Sequence, residues 1–209
     1  CAWGVTPWGT WLSCEEVPSG RIVFTRAFCP RTGDVYLTED APDRRLYRFV
    51  PTTPGQVASG QLFAASMAEP PTGMTTGQSV DVQWLPTSNA EPDRAPGTSA
   101  LDGGEGAWID ARRLFFTTKG DRRVWELNLD SQELALLHDC VATPDTPLND
   151  VDNIVTHPTT GDLYVAEDAG NMQLCALREA SDGSVSVRAA LQIVGQDASE
   201  ITGPAFSPD

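Results

Sequence analysis

Three stretches of the chain share one pattern of apolar and polar positions. They are "PRTGDVYLTEDAPDRRLYRFV" from Pro30, "DARRLFFTTKGDRRVWELNL" from Asp110 and "PTTGDLYVAEDAGNMQLCAL" from Pro158. Each reads as turn, short aromatic strand, polar break and second strand, which predicts an antiparallel β-meander. With Tyr36, Phe116 and Tyr164 taken as equivalent, the last two lie 48 residues apart, the length of one four-stranded propeller blade. The first interval, 80 residues, is longer by 32, and the excess falls in a tract rich in Pro, Gly, Ser and Thr. Residues 66–102 are therefore expected as a long inserted loop between blades, with a short strand at "SVDVQWL". Aligning "GTWLSCEE" with "DVYLTED" makes Leu12 the partner of Tyr36 and matches Glu15–Glu16 to Glu39–Asp40, only half a blade upstream. The fold class expected is all-β: one incomplete β-propeller domain over residues 1–209, with about four blades visible.

Eleven residues before each anchor, in the preceding strand, stand Cys1 before Leu12, Glu105 before Phe116 and Asn153, beside Asp152, before Tyr164. One further blade length leads to the neighbourhood of Glu200. Inner strands of a propeller line one channel, so a side chain repeated at one register converges there. A single carboxylate at a strand edge is ordinarily a solvated loop residue. Several brought together need a cation or shared protons. Carboxylate oxygens suit calcium, and a thiolate such as that of Cys1 suits a softer transition metal.

Charge sharpens this picture. With 14 Lys and Arg against 29 Asp and Glu, the net charge of -15 disfavours nucleic acid and anionic membrane as partners and favours hard cations. No apolar run is long enough to span a bilayer, and no signal peptide is visible. The five cysteines, Cys1, Cys14, Cys29, Cys140 and Cys175, are odd in number and lack zinc-like spacing, so Cys14, Cys140 and Cys175 read as buried inert thiols. His138 and His157 read as structural or solvent-facing. "LDGGEG" lacks the lysine of a phosphate-binding loop, and no nucleophile elbow is present. Lys119 and Arg122 occupy the polar break that is acidic in the sister repeats, and are either a phosphate-holding pair or solvated charges.

The segments "TPWGTWLSCEE", "GDVYLTEDAPDRRLYRFVP", "GGEGAWI", "FFTTKGDRRVWEL", "DVDNIVTHPTTGDLYVAEDAGNMQL" and "GQDASEITGPAFSPD" resemble the PhoX-type alkaline phosphatases. The resemblance implies a six-bladed propeller, of which this chain is a fragment, with iron and calcium in its channel. It implies metal-dependent phosphomonoester hydrolysis through a metal-bound oxygen, acting on a small phosphoester in the periplasm or outside the cell; no obligate protein partner is evident in the sequence. It assigns Cys1 to iron and places Glu15, Glu105, Asp152 and Glu200 in ligand-supplying motifs, with Glu16 and Asn153 close behind. Two departures stand out: Trp3 replaces a motif glycine, and Val23 and Phe24 replace a His-Glu pair. The rival readings are a calcium-dependent lactonase, indifferent to Cys1, and a non-enzymatic propeller with a structural metal.

Overall fold

The computed structural model describes residues 3–5, 11–13, 24–88, 95–169, 171–196 and 199–207, with side chains from residue 27 onward within those ranges. Strands β1 (Trp3–Val5) and β2 (Trp11–Ser13) form a two-stranded antiparallel unit. The next meander is β3 (Phe24–Phe28), β4 (Val35–Glu39), β5 (Tyr47–Thr53) and β6 (Gln56–Met67). After β7 (Ser79–Thr87) comes a second, β8 (Gly104–Asp110), β9 (Arg113–Thr118), β10 (Arg123–Asn128) and β11 (Glu133–Asp139). The third is β12 (Ile154–Thr156), β13 (Leu163–Ala166), β14 (Gln173–Glu179) and β15 (Val185–Gln192). The chain is thus all-β, with successive antiparallel meanders of the propeller kind. Among the described residues, no helix is long and apolar enough to cross a membrane.

The repeated "TGD" explains the matching hairpins. Gly33 and Gly161 adopt φ of 80° and 73°, a left-handed conformation that glycine enters without a Cβ clash. Each turn closes identically: Gly33 N–H donates to Cys29 O and Cys29 N–H to Asp34 O, as Gly161 does to His157 and His157 to Asp162.

Cores form between meanders. Tyr36, Leu46 and Ala65 of the first pack with Leu114, Phe116, Trp125 and Leu136 of the second. Phe115 and Val124, on the opposite face of the second, pack with Ile154, Val165, Cys175 and Leu177 of the third. This corrects the repeat register by one residue. Tyr36 faces the following meander, as Phe115 does, whereas Phe116 faces the preceding one. Strand side chains alternate faces, so a one-residue slip exchanges the two cores.

The 66–102 segment is more than a loop. It completes β6, makes a 3-10 turn at Pro71–Gly73 and contributes β7, which pairs with β6 on one side and β11 on the other. The first two meanders become one nine-stranded sheet with order β3-β4-β5-β6-β7-β11-β10-β9-β8. Met67, Met74, Val82 and Leu101 join the first core, so apolar residues spaced through a polar tract suffice to seat it. Arg123 clamps the turn, donating from Nη1 to Pro71 O at 3.0 Å and from Nη2 to Thr72 O at 3.3 Å, while Nε meets Asp139 Oδ2 at 2.9 Å. Arg123→Ala leaves Asp139 without its cation and is expected to cost about 2 kcal/mol, read as a lower urea midpoint at unchanged m-value.

Candidate metal centre

The ends of β4, β9 and β13 carry three equivalent triplets: Thr38-Glu39-Asp40, Thr117-Thr118-Lys119 and Ala166-Glu167-Asp168. The middle residue is a buried post in each. Glu39 accepts from Tyr47 Oη at 3.0 Å and pairs with Arg44 at 3.1 Å. Thr118 accepts from Trp125 Nε1 at 2.8 Å. Glu167, fully buried, accepts from the backbone N–H of Asn149 and of Gln173, each at 2.7 Å. A post held on both sides sets where the third residue, Asp40, Lys119 or Asp168, begins its side chain.

The residue before the post ties one meander to the next. Thr38 Oγ1 donates to the carbonyl of Glu105, and Thr117 Oγ1 to that of Asp152. Glu105 and Asp152 therefore hold the same place on successive inner segments. A β-bulge between Gly104 and Ala107 re-aims β8 at Glu105. Glycine is required beside it: a Cβ on Gly106 would stand 2.6 Å from Asn153 Cα and 2.8 Å from Asp152 O. Asp152 is further placed by Gly106 N–H donating to its carbonyl at 3.2 Å and by its own N–H donating to Ala166 O at 2.8 Å. Asn153 Nδ2 donates to Asp152 Oδ1 at 2.8 Å.

Residues 199–207 return alongside the third meander, where Ile201 N–H donates to Glu167 O at 3.0 Å and sets Glu200 next to Asp168. Asp152, Asp168 and Glu200 each offer a carboxylate oxygen, all within 4.8 Å of one another. Lys119 extends into the same region, contacting Asp168 Oδ2 and reaching to 4.0 Å from Glu105 Oε1.

Burial, then the charges of Asp152 and Asp40, push the Glu105 carboxyl up to about 8 against the pull of Lys119. Burial and Glu200 push Asp152 up to about 6. Both shifts are those of carboxyls taken out of water first and crowded by like charges second.

Of the residues singled out from sequence, Asp152 and Glu200 meet in the triad, and the charge of Asp152 acts on Glu105. Asn153 supports Asp152, and Lys119 faces carboxylates. Arg122 is exposed in the β9–β10 turn at φ 55°. Cys1, Glu15, Glu16, Cys14 and Val23 lie outside the described residues. Asp168 was legible only as part of an acidic break. Counting along inner strands alone skips it, because it follows the second strand. His138 is buried against Thr146 Oγ1 at 3.1 Å, and His157 Nδ1 accepts from the N–H groups of Thr159 and Thr160 at 3.2 Å. Cys29, Cys140 and Cys175 are free thiols, and burial pushes Cys140 and Cys175 up to about 12. The oxygen-only triad fits a hard cation such as calcium. Among the described residues no cysteine or histidine joins it.

No family model matches the chain, and no curated protein matches it. Among solved structures, Pseudomonas fluorescens PhoX in complex with vanadate, a transition state analogue, is 14% identical with a TM-score of 0.56 over 80% of this chain. A chain of the nidogen/laminin complex is 18% identical with a TM-score of 0.49, covering 87% of this chain and 52% of that one. This chain spans 44% of the PhoX chain. At this identity the likeness to PhoX is one of fold, and it agrees with the meanders described above: the protein is an all-β chain of propeller architecture.

Proposed function

We propose that the chain is part of a metal-dependent phosphomonoester hydrolase whose cation sits on Asp152, Asp168 and Glu200. The observation that carries this reading is their convergence, from three separate segments 16 and 32 residues apart, to within 4.8 Å. The fold likeness to PhoX supports it. When bound, a divalent cation would supply electrophilic polarisation of a phosphoryl oxygen and lower the pKa of a bound water.

The chain's own part is positioning. Thr117, Gly106 and Ala166 hold the backbone of Asp152, and Asp168 follows Glu167, which is anchored by the N–H groups of Asn149 and Gln173. Glu105, its carboxyl pushed up to about 8 by burial and by the charges of Asp152 and Asp40, keeps a proton at neutral pH. Calcium is the ion the carboxylates suit. Iron remains tied to Cys1 in this proposal, a small phosphoester is the substrate, and the destination is the periplasm or the cell exterior.

Calorimetric titration of chelator-stripped protein tests the site. Calcium is expected to bind wild type, and Asp168→Asn to weaken binding by roughly 10–100-fold. Inorganic phosphate is then expected to bind only in the presence of calcium. Absence of calcium binding, or calcium binding unaltered in Asp168→Asn, would sink the site. Phosphate binding indifferent to calcium would sink the hydrolase reading.

A further inference from the structure

Lys119 stands where the sister repeats place Asp40 and Asp168, at the residue after the buried post. Its ammonium contacts Asp168 and approaches Glu105 to 4.0 Å, so it bridges carboxylates of two meanders. Its own backbone is fixed, with N–H donating to Gly103 O at 2.7 Å. The Glu105 side chain is 16% exposed and that of Asp168 22%, so water screens their repulsion incompletely. An ammonium is a compact point charge on a flexible stem, able to occupy a place between carboxylates that a metal ion would otherwise take.

We propose that Lys119 is a built-in counter-cation that lets the first, second and third meanders close around the axis with one metal ion fewer. In a protein with carboxylates at all three repeat positions, a further divalent ion would have to offset the charge of Asp168 and its neighbours. Here the chain supplies the offsetting charge covalently. Lys119 is thus a positioning residue that sets cation number beside the Asp152, Asp168 and Glu200 site. The role assigned to Lys119 does not require that wild type bind calcium, although it deepens the metal reading above where that holds.

The experiment compares wild type, Lys119→Met and Lys119→Arg as full chains, stripped with chelator and titrated with calcium alone. Stoichiometry is read by calorimetry, and melting is followed by circular dichroism with chelator and with calcium. Lys119→Met is expected to bind one more equivalent of calcium than wild type. Its melting temperature in chelator should lie below that of wild type and return on adding calcium. Lys119→Arg keeps the charge and is expected to match wild type in both. If Lys119→Met fails to fold in chelator, refolding is repeated with calcium present; recovery supports the proposal and failure overturns it. Equal stoichiometry in Lys119→Met and wild type, with a loss of stability that calcium does not repair, also overturns it. Wild-type binding reports on the Asp152, Asp168 and Glu200 site, whereas the difference between variants reports on Lys119, so either reading fails without the other.

Discussion

In chelator, the melting temperature is expected to fall by roughly 5 °C as pH rises from 6.5 to 8.5, and calcium is expected to remove most of that fall. The folded Glu105 carboxyl titrates near 8, against 4.5 for an ordinary glutamate. Between those values the folded protein holds a proton that the unfolded chain has released. Its stabilising contribution is complete below about 4.5 and is lost as pH rises through 8. The part lost above pH 6.5 is on the order of 2 kcal/mol. Asp152, near 6, has lost most of its own contribution by then. His138 acts oppositely, because burial lowers its pKa and protonation opposes folding, but only below about pH 6.5. Buried Cys140 and Cys175 add losses above the usual thiol range, so the window closes at 8.5. Thermal scans in chelator and in calcium, repeated on Asp168→Asn, check this. A flat profile in chelator would mean that Glu105 is solvated and apart from Asp152 and Asp40.

Gly106→Ala is expected to destabilise the chain by about 2–3 kcal/mol and to weaken calcium binding at least tenfold. The added methyl meets Asn153 Cα, Ile154 N and Asp152 O at 2.6–2.8 Å, all backbone atoms, so no side chain can turn aside. Relief requires parting the inner segments of the second and third meanders, which strips Asp152 of the Thr117 hydroxyl and the Gly106 N–H that place it. Gly161→Ala is the control: no atom lies within 4 Å of its Cβ, but its φ of 73° carries local strain. Urea denaturation and calcium titration of both variants separate the effects. Gly161→Ala should lose stability and keep calcium affinity, whereas Gly106→Ala should lose both. Unchanged calcium affinity in Gly106→Ala would show that the inner segments adjust independently of the site.

Alternating aromatic and aliphatic residues after "TGD" were enough to determine strands and hairpins, because turn chemistry and period-two burial are local properties. Their repetition was enough to indicate a propeller and to single out Glu105, Asp152 and Glu200. Tertiary structure decided three other matters. Which face Phe115 and Phe116 take depends on the meanders packed on either side, and a count along the chain is blind to the bulge near Glu105. The role of β7 depends on two strand edges, β6 and β11, about 70 residues apart in the chain, accepting its hydrogen bonds. The membership of Asp168 and the contact of Lys119 arise because the second-strand ends of the second and third meanders meet the inner segments and the returning 199–207 segment. That is convergence in space of side chains unrelated by any fixed spacing.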